Sequence, residues 1–244
     1  MATILITGAT DGLGRAVATE LAARGADVLV HGRDRGRLDA VAREIGAAGA
    51  HLADFASLAD VRRLAGEARG VDVLVNNAGV IVPERRLSAD GLELTFQVNH
   101  LAGFLLTTLL EPQRTVSVAS IGQRAPDFSD LMFERGYDAY AAYSQSKLAQ
   151  IMFTFELAER RPDLVANALH PATRMDTKMV RENFGATAST VAEGLEATVR
   201  VIELEGVSGH YFEGLREARA DPVAYDPEAR RRLWEVSEAL VAAA

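Results

Sequence analysis

The chain contains no cysteine, which excludes disulfides, thiolate catalysis and cysteine-ligated metal. Histidine is sparse and scattered: His31, His51, His100, His170 and His210 show no HExxH or paired spacing, so a metal site is not expected. Long apolar runs are missing as well. The nearest approach to a membrane span, residues 101–110, is too short, and a Gly-rich turn after Thr7 interrupts anything like a secretory leader. Positive charge is in deficit, with 26 Lys and Arg against 34 Asp and Glu and a formal net charge of −8. That balance argues against a nucleic-acid surface and against an anionic membrane face. No repeat, low-complexity tract or interdomain linker is visible. What remains is an ordinary globule of 244 residues, 48% hydrophobic and 25% charged, long enough to bury a core without staples. A cytoplasmic, small-molecule protein is the expectation.

Apolar runs alternate with helical patterns from the start. Short buried strands are predicted at residues 3–6, 27–31, 51–53, 71–75, 115–118, 165–169 and 210–212. Between them lie helices near 15–24, 34–45, 58–68, 92–110 and 191–203, with a long helix headed by Tyr143 and a terminal one near 228–240. Gly25 is placed to end the first helix and Asp34 to cap the second. Strands separated by helices are βαβ units, so the fold class is α/β: one doubly wound parallel sheet with helices on both faces, spanning residues 1–244. Two irregular stretches, 121–140 and 171–190, each follow a strand at the edge where open α/β sheets bind ligands. They read as substrate loops.

Several clusters carry chemistry. The first strand runs into Thr7-Gly8-Ala9-Thr10-Asp11-Gly12-Leu13-Gly14 and then a helix. Glycines there let the chain turn sharply and let its amides approach a pyrophosphate at the positive helix end. The fourth strand ends in Asn76-Asn77-Ala78-Gly79. This polar pair could tie off loose backbone groups or floor a cleft beside a cofactor, and both readings stay open. Asn99 lies inside an otherwise apolar helix and must find partners if buried. Ser120 follows the fifth strand. Tyr143 and Lys147 stand four apart, on one helix face, where an ammonium can draw a phenol's pKa of roughly 10 towards the working range.

The order TGxxxGxG, NNAG, Asn, Ser, YxxxK resembles the short-chain dehydrogenase/reductase family. The runs 96–107 and 142–149, with Leu169-His170-Pro171 and Ser208-Gly209-His210-Tyr211-Phe212, are similar to its retinol-dehydrogenase-like branch. The resemblance implies hydride transfer between a nicotinamide cofactor and a carbonyl or alcohol. It makes Tyr143 the general acid or base and Ser120 the holder of the substrate oxygen. Lys147 would lower the Tyr143 pKa and bind the ribose, and Asn99 would fix a relay water. Tyr140 rivals Tyr143, but Ser144 rather than a cation stands four residues after it. Cofactor contacts are expected from Thr7, Gly8, Asp11, Gly12, Leu13, Gly14, Asn76, Ala78, Gly79, Tyr143, Lys147 and Pro171, with Thr177 preferred to Thr173.

By resemblance the NAD/NADP-discriminating position is Gly32, followed by Arg33, whose guanidinium suits a 2′-phosphate. NADP is therefore favoured over NAD, although Asp11 is an awkward neighbour; Asp54 would face the adenine edge. Pro171-Ala172 replaces the family's usual Pro-Gly, and the join 110–114 is short. The helix before that join commonly forms a family dimer interface, so a homo-oligomer is an open expectation. Met175, Met179, Val180, Phe184, Phe128, Leu131, Met132 and Phe133 suggest an apolar substrate pocket. His100 is expected to be a satisfied core residue, and Arg230-Arg231-Arg232 a solvated face. The competing reading is a non-catalytic NADP(H)-sensing or protein-binding domain. An epimerase or dehydratase is disfavoured because few residues follow Pro171.

Overall fold

The computed structural model describes residues 2–244. In chain order, β1 (Thr3–Ile6), α1 (Gly12–Ala23), β2 (Asp27–Gly32), α2 (Arg35–Ile45), β3 (Gly49–Leu52), α3 (Leu58–Glu67) and β4 (Val73–Asn76) form the first half. The second half begins with α4 (Leu94–Phe96), a π-helical turn (Gln97–Leu101) and α5 (Ala102–Leu110), which run on without a break. Then come β5 (Arg114–Val118), α6 (Ala139–Arg160), β6 (Val165–His170), α7 (Lys178–Phe184) and α8 (Val191–Glu203). A final hairpin of β7 (His210–Glu213) and β8 (Arg216–Ala218), a 3-10 turn (Pro222–Tyr225) and α9 (Pro227–Ala243) close the chain.

The strands make one sheet in the order β3-β2-β1-β4-β5-β6-β7-β8, parallel except for β8. Side chains alternate across a strand, and the core divides accordingly. Leu5 and Leu74 point to a cluster with Leu64, Phe104, Leu148 and Trp234, whereas Ile4, Ile6, Val73 and Val75 join Val17, Leu38, Val116 and Val201 on the opposite face. Helices therefore cover both faces, as expected. Strand order reverses between β1 and β4, and the crevice outside their carboxyl ends is where such sheets bind ligands.

The structure departs from the sequence expectations in specific places. Helix α1 starts at Gly12 rather than residue 15 because the Asp11 carboxylate accepts the Gly12 N–H and caps it. Asp34 caps α2 through Arg37 N–H, as expected. The helix expected at 92–110 holds a π turn at its middle. Loop 171–190 contains α7, and β8 and the 3-10 turn were not anticipated. Arg230 is a correction: it is buried, with its guanidinium paired to Glu156 and Glu159 and bonded to the Ala224 carbonyl. Arg232 lies over the Phe128 ring, 4.4 Å from its centroid. Only Arg231 of the three fits a plain solvated face.

Helix α9 lies over α5 and α6. Trp234 contacts Phe104 and Phe153, and His100 in the π turn is 2.8 Å from the Ser237 hydroxyl. His100 is in the core as anticipated but only half satisfied: its Nδ1 is buried with no hydrogen-bond partner among the described residues, and burial pushes its pKa down to about 3.

Candidate active site

The carboxyl ends of strands β1 to β6 and residues of helices α1, α2, α6 and α7 meet around one cleft of about 710 Å³. The glycine loop forms one end. Gly8 and Gly12 have φ of 66° and 51°, the left-handed region that glycine enters freely. Gly14 is required for a different reason: a Cβ there would stand 2.4 Å from the Gly8 carbonyl oxygen and from Asn77 Nδ2. At the start of α1, where no preceding helical carbonyl is in reach, the first-turn amides of Leu13 and Gly14 have no hydrogen-bond partner among the described residues. Donors of this kind at a helix start fit a pyrophosphate. Thr177, the N-cap of α7, rests its methyl against this loop, where a Gly12 Cβ would come within 3.1 Å of it.

The loop is held from two sides. Asn77 Nδ2 donates to the Thr7 and Gly8 carbonyls at 2.8 and 3.2 Å, and Thr7 Oγ1 accepts the Asn77 and Ala78 N–H groups. From the other side, His31 Nδ1 accepts the Gly8 N–H at 3.2 Å, while Nε2 donates to the Ala53 carbonyl at 3.0 Å. Those partners assign the neutral tautomer. Burial lowers the His31 pKa to about 4, so it stays neutral, and its ring stacks on Phe55 at 4.3 Å. Both rings line the cleft.

Asn76 is a correction. It does not line the cleft. It is buried, and its Nδ2 donates to the hydroxyls of Thr107 (2.9 Å) and Thr115 (3.3 Å), tying β4 to α5 and β5. Alternation at the strand end gives the cleft position to Asn77 instead. Asp11, Arg33, Asp54, Ala78, Gly79 and Pro171 do line the cleft. So does Arg37, which sequence reasoning missed because helical periodicity marks it only as exposed. Neither Arg33 nor Arg37 makes a salt bridge among the described residues. At Gly32, a Cβ would fall 2.4 Å from Thr10 Cγ2, so a side chain there requires Thr10 to shift.

Ser120, Tyr143 and Lys147 converge at the other end. Ser120 is held by its own loop: Oγ accepts the Gly122 N–H at 3.0 Å, and its carbonyl accepts from the Tyr211 hydroxyl and Gln123 Nε2, each at 3.1 Å. Lys147 is buried, with Nζ donating to the Val118 carbonyl (2.7 Å) and Gln150 Oε1 (2.9 Å) and standing 5.6 Å from the Tyr143 ring centroid. Burial pulls the Lys147 pKa down to about 7. Nearby His170 is lowered to about 4 by burial and by Lys147.

The expected direction for Tyr143 needs correcting. Desolvation pushes its phenol up to about 12; the Ser120 hydroxyl opposes the rise and the neighbouring Tyr140 adds to it. A lysine that is itself desolvated and half-neutral near pH 7 does not offset that cost. The phenol thus keeps its proton at neutral pH, which suits a proton donor.

Asn99 sits behind Lys147, but its amide is committed: Oδ1 accepts the Val80 N–H (2.7 Å), and Nδ2 donates to the Val80 carbonyl (3.0 Å) and Ser146 Oγ (2.8 Å). With both N–H groups used, the side chain clamps the segment following Gly79 to α6, and only the second lone pair of Oδ1 stays open to a relay water.

A sequence model described as short chain dehydrogenase matches residues 2–187. The chain belongs to the short-chain dehydrogenase family. Membership makes it an NAD(P)-dependent oxidoreductase, with the retinol-dehydrogenase-like branch as its kin. It is 37% identical to human retinol dehydrogenase 13, over 98% of this chain and 84% of that protein. It is also 37% identical to the Streptomyces protein named "Putative daunorubicin C-13 ketoreductase DnrU", over 98% and 92%. A crystal structure of a functionally unassigned Mycobacterium paratuberculosis protein superposes with a TM-score of 0.88 at 32% identity, covering 99% of this chain and 94% of that one. A Burkholderia cenocepacia short chain dehydrogenase in complex with NADP gives 0.71 at 26%, covering 87% and 95%. No helix among the described residues is long and apolar enough to cross a membrane.

Proposed function

We propose that this short-chain dehydrogenase reduces an apolar carbonyl compound, with NADPH as its cofactor, and runs the reverse oxidation when product is in excess. The observation that carries the reading is the convergence of Ser120, Tyr143 and Lys147 at one end of a cleft whose other end is the glycine loop. The cofactor supplies the hydride. Ser120 Oγ, fixed by the Gly122 N–H, donates to the substrate oxygen and orients the carbonyl. Tyr143 gives its proton to that oxygen as negative charge grows there, and the Lys147 ammonium stabilises the phenolate left behind.

Choice of NADPH is supported by two cleft-lining guanidinium groups, Arg33 and Arg37, free of carboxylate partners among the described residues. The Thr10 methyl packed against Gly32 works against a carboxylate at that position, the group that bonds the ribose 2′-OH of NAD. The NADP complex of a relative at 26% identity points the same way. Apolar substrates are favoured by Ile121, Met179, Val180 and Phe184 along the cleft. The names of the relatives suggest bulky hydrophobic carbonyls rather than small sugars. With a net charge of −8 the protein is suited to the cytoplasm rather than to an anionic bilayer surface. A panel of aldehydes and ketones assayed for NADPH oxidation, with thermal shifts for NADP against NAD, tests the reading. Failure of the whole panel, or a larger shift with NAD, would contradict it.

A further inference from the structure

At the mouth of the cleft, next to the reacting phenol, lies a pair of aromatic rings that the reaction itself does not use. Tyr140 stands in the first turn of α6, three residues before Tyr143 and on the same side of the helix. Phe184 is the last residue of α7. Their rings meet edge to face, with centroids 6.2 Å apart and an interplanar angle of 86°. Both line the cleft. Tyr140 remains 54% exposed and its cleft neighbour Ile121 52% exposed, although each carries a large apolar surface that folding normally buries. Exposed apolar surface concentrated beside a reacting group marks a binding site rather than unfinished packing.

Gly122 supplies an independent observation. Its φ lies outside the left-handed region, so its backbone does not require glycine. What it provides is close contact: a Cβ at 122 would stand 2.9 Å from the Tyr140 hydroxyl, so the bare Cα lets the phenol lie nearer this loop than a side chain there would. The position of the Tyr140 ring is thus built into two separate segments, the Ser120–Gly122 loop and α6. Two rings at right angles present one face and one edge, an arrangement complementary to a third, flat ring.

We propose that Tyr140 and Phe184 form a slot for a flat aromatic ring joined directly to the carbonyl, so that the preferred substrates are aryl ketones. The proposal deepens the reductase reading and rests on it for the position of the carbonyl. Tyr140 is a specificity residue here, and Tyr143, not Tyr140, moves the proton.

The test compares 1-tetralone with 1-decalone, ketones of similar size of which only the first carries a flat ring. Intrinsic reactivities differ, so the quantity read is the change on mutation in the ratio of their kcat/KM values. Tyr140→Ala and Phe184→Ala should each lower the tetralone-to-decalone ratio about ten-fold, the worth of one aromatic contact. The loss should appear in the KM for tetralone more than in kcat. Tyr140→Phe, which keeps the ring, should hold the ratio within about two-fold of the parent. An unchanged ratio in the alanine variants, or a Tyr140→Phe variant as impaired as Tyr140→Ala, would overturn the slot while leaving the reductase reading intact. Calorimetry of 1-tetralol and 1-decalol binding to the NADPH-loaded enzyme decides the slot separately. Should neither ketone be turned over, the carbonyl-reductase reading would fall. Tetralol binding that weakened in the alanine variants would then still support the slot, and equal binding of the two alcohols would refute it.

Discussion

Replacing Gly32 with Asp is the direct attempt to turn an NADPH enzyme towards NADH, because a carboxylate at the end of β2 can bond the ribose 2′-OH. In this protein the structure predicts that the single change fails. The Cβ of any residue at 32 would sit 2.4 Å from Thr10 Cγ2, well inside contact distance. Overpacking of that kind costs about 1–3 kcal/mol. The gain sought, one hydrogen bond to a carboxylate, is worth about 1.5–3 kcal/mol, so the two terms nearly cancel. Thr10→Ser removes the offending methyl, and the hydroxyl oxygen lies at a tolerable 3.5 Å from the same point. Gly32→Asp alone should therefore lose kcat/KM with NADPH without a matching gain with NADH. The pair Thr10→Ser and Gly32→Asp should raise kcat/KM with NADH by roughly ten-fold over the single variant. Steady-state rates with each cofactor at a fixed carbonyl concentration read this out. A Gly32→Asp variant that used NADH well with Thr10 intact would refute the steric reasoning.

Reductase activity should fall as pH rises through about 7, since burial holds Lys147 near that value and only its charged form stabilises the phenolate left on Tyr143. Tyr143 itself, at about 12, stays protonated across the range, so initial rates that are flat from mildly acid to mildly alkaline pH would contradict the assignment. Arg230→Met strips a buried carboxylate, Glu156, of one cation and should cost about 3 kcal/mol, roughly 6–12 °C in Tm by calorimetry. A change no larger than that of an ordinary surface substitution would show the pair to be unimportant. Because α9 lies over α5 and α6, light scattering should give the 26.2 kDa mass of one chain; a dimer mass would require an interface on another face.

Local patterns carried the sequence reading wherever the determinants were neighbours in the chain. The glycine loop, the Asp34 cap and the span of α8 follow from side chains within a few residues of one another, and the structure has them there. Alternating apolar residues in β1 and β4 made a two-faced sheet legible as well. Choosing between Asn76 and Asn77 failed because one residue of register decides which of two identical side chains faces the cleft. Helix α7 has seven residues and one buried side chain, Val180, too little for a periodic signal. Strand β8 is three residues long and paired only to β7. The roles of His31 and Arg230 depend on partners from distant segments, Ala53 and Glu156, that no spacing rule connects. Tyr143 shows the same limit for energetics. Helical spacing brings the lysine near, but only the folded environment shows that desolvation outweighs it.

Whether the Tyr143 proton is the one delivered to substrate can be measured by removing it. Tyr143→Phe keeps the ring and its packing while deleting the acid, so NADPH should bind within about two-fold of the parent and carbonyl turnover should fall by at least roughly a hundred-fold. Turnover near the parental rate, with NADPH still bound, would contradict the account.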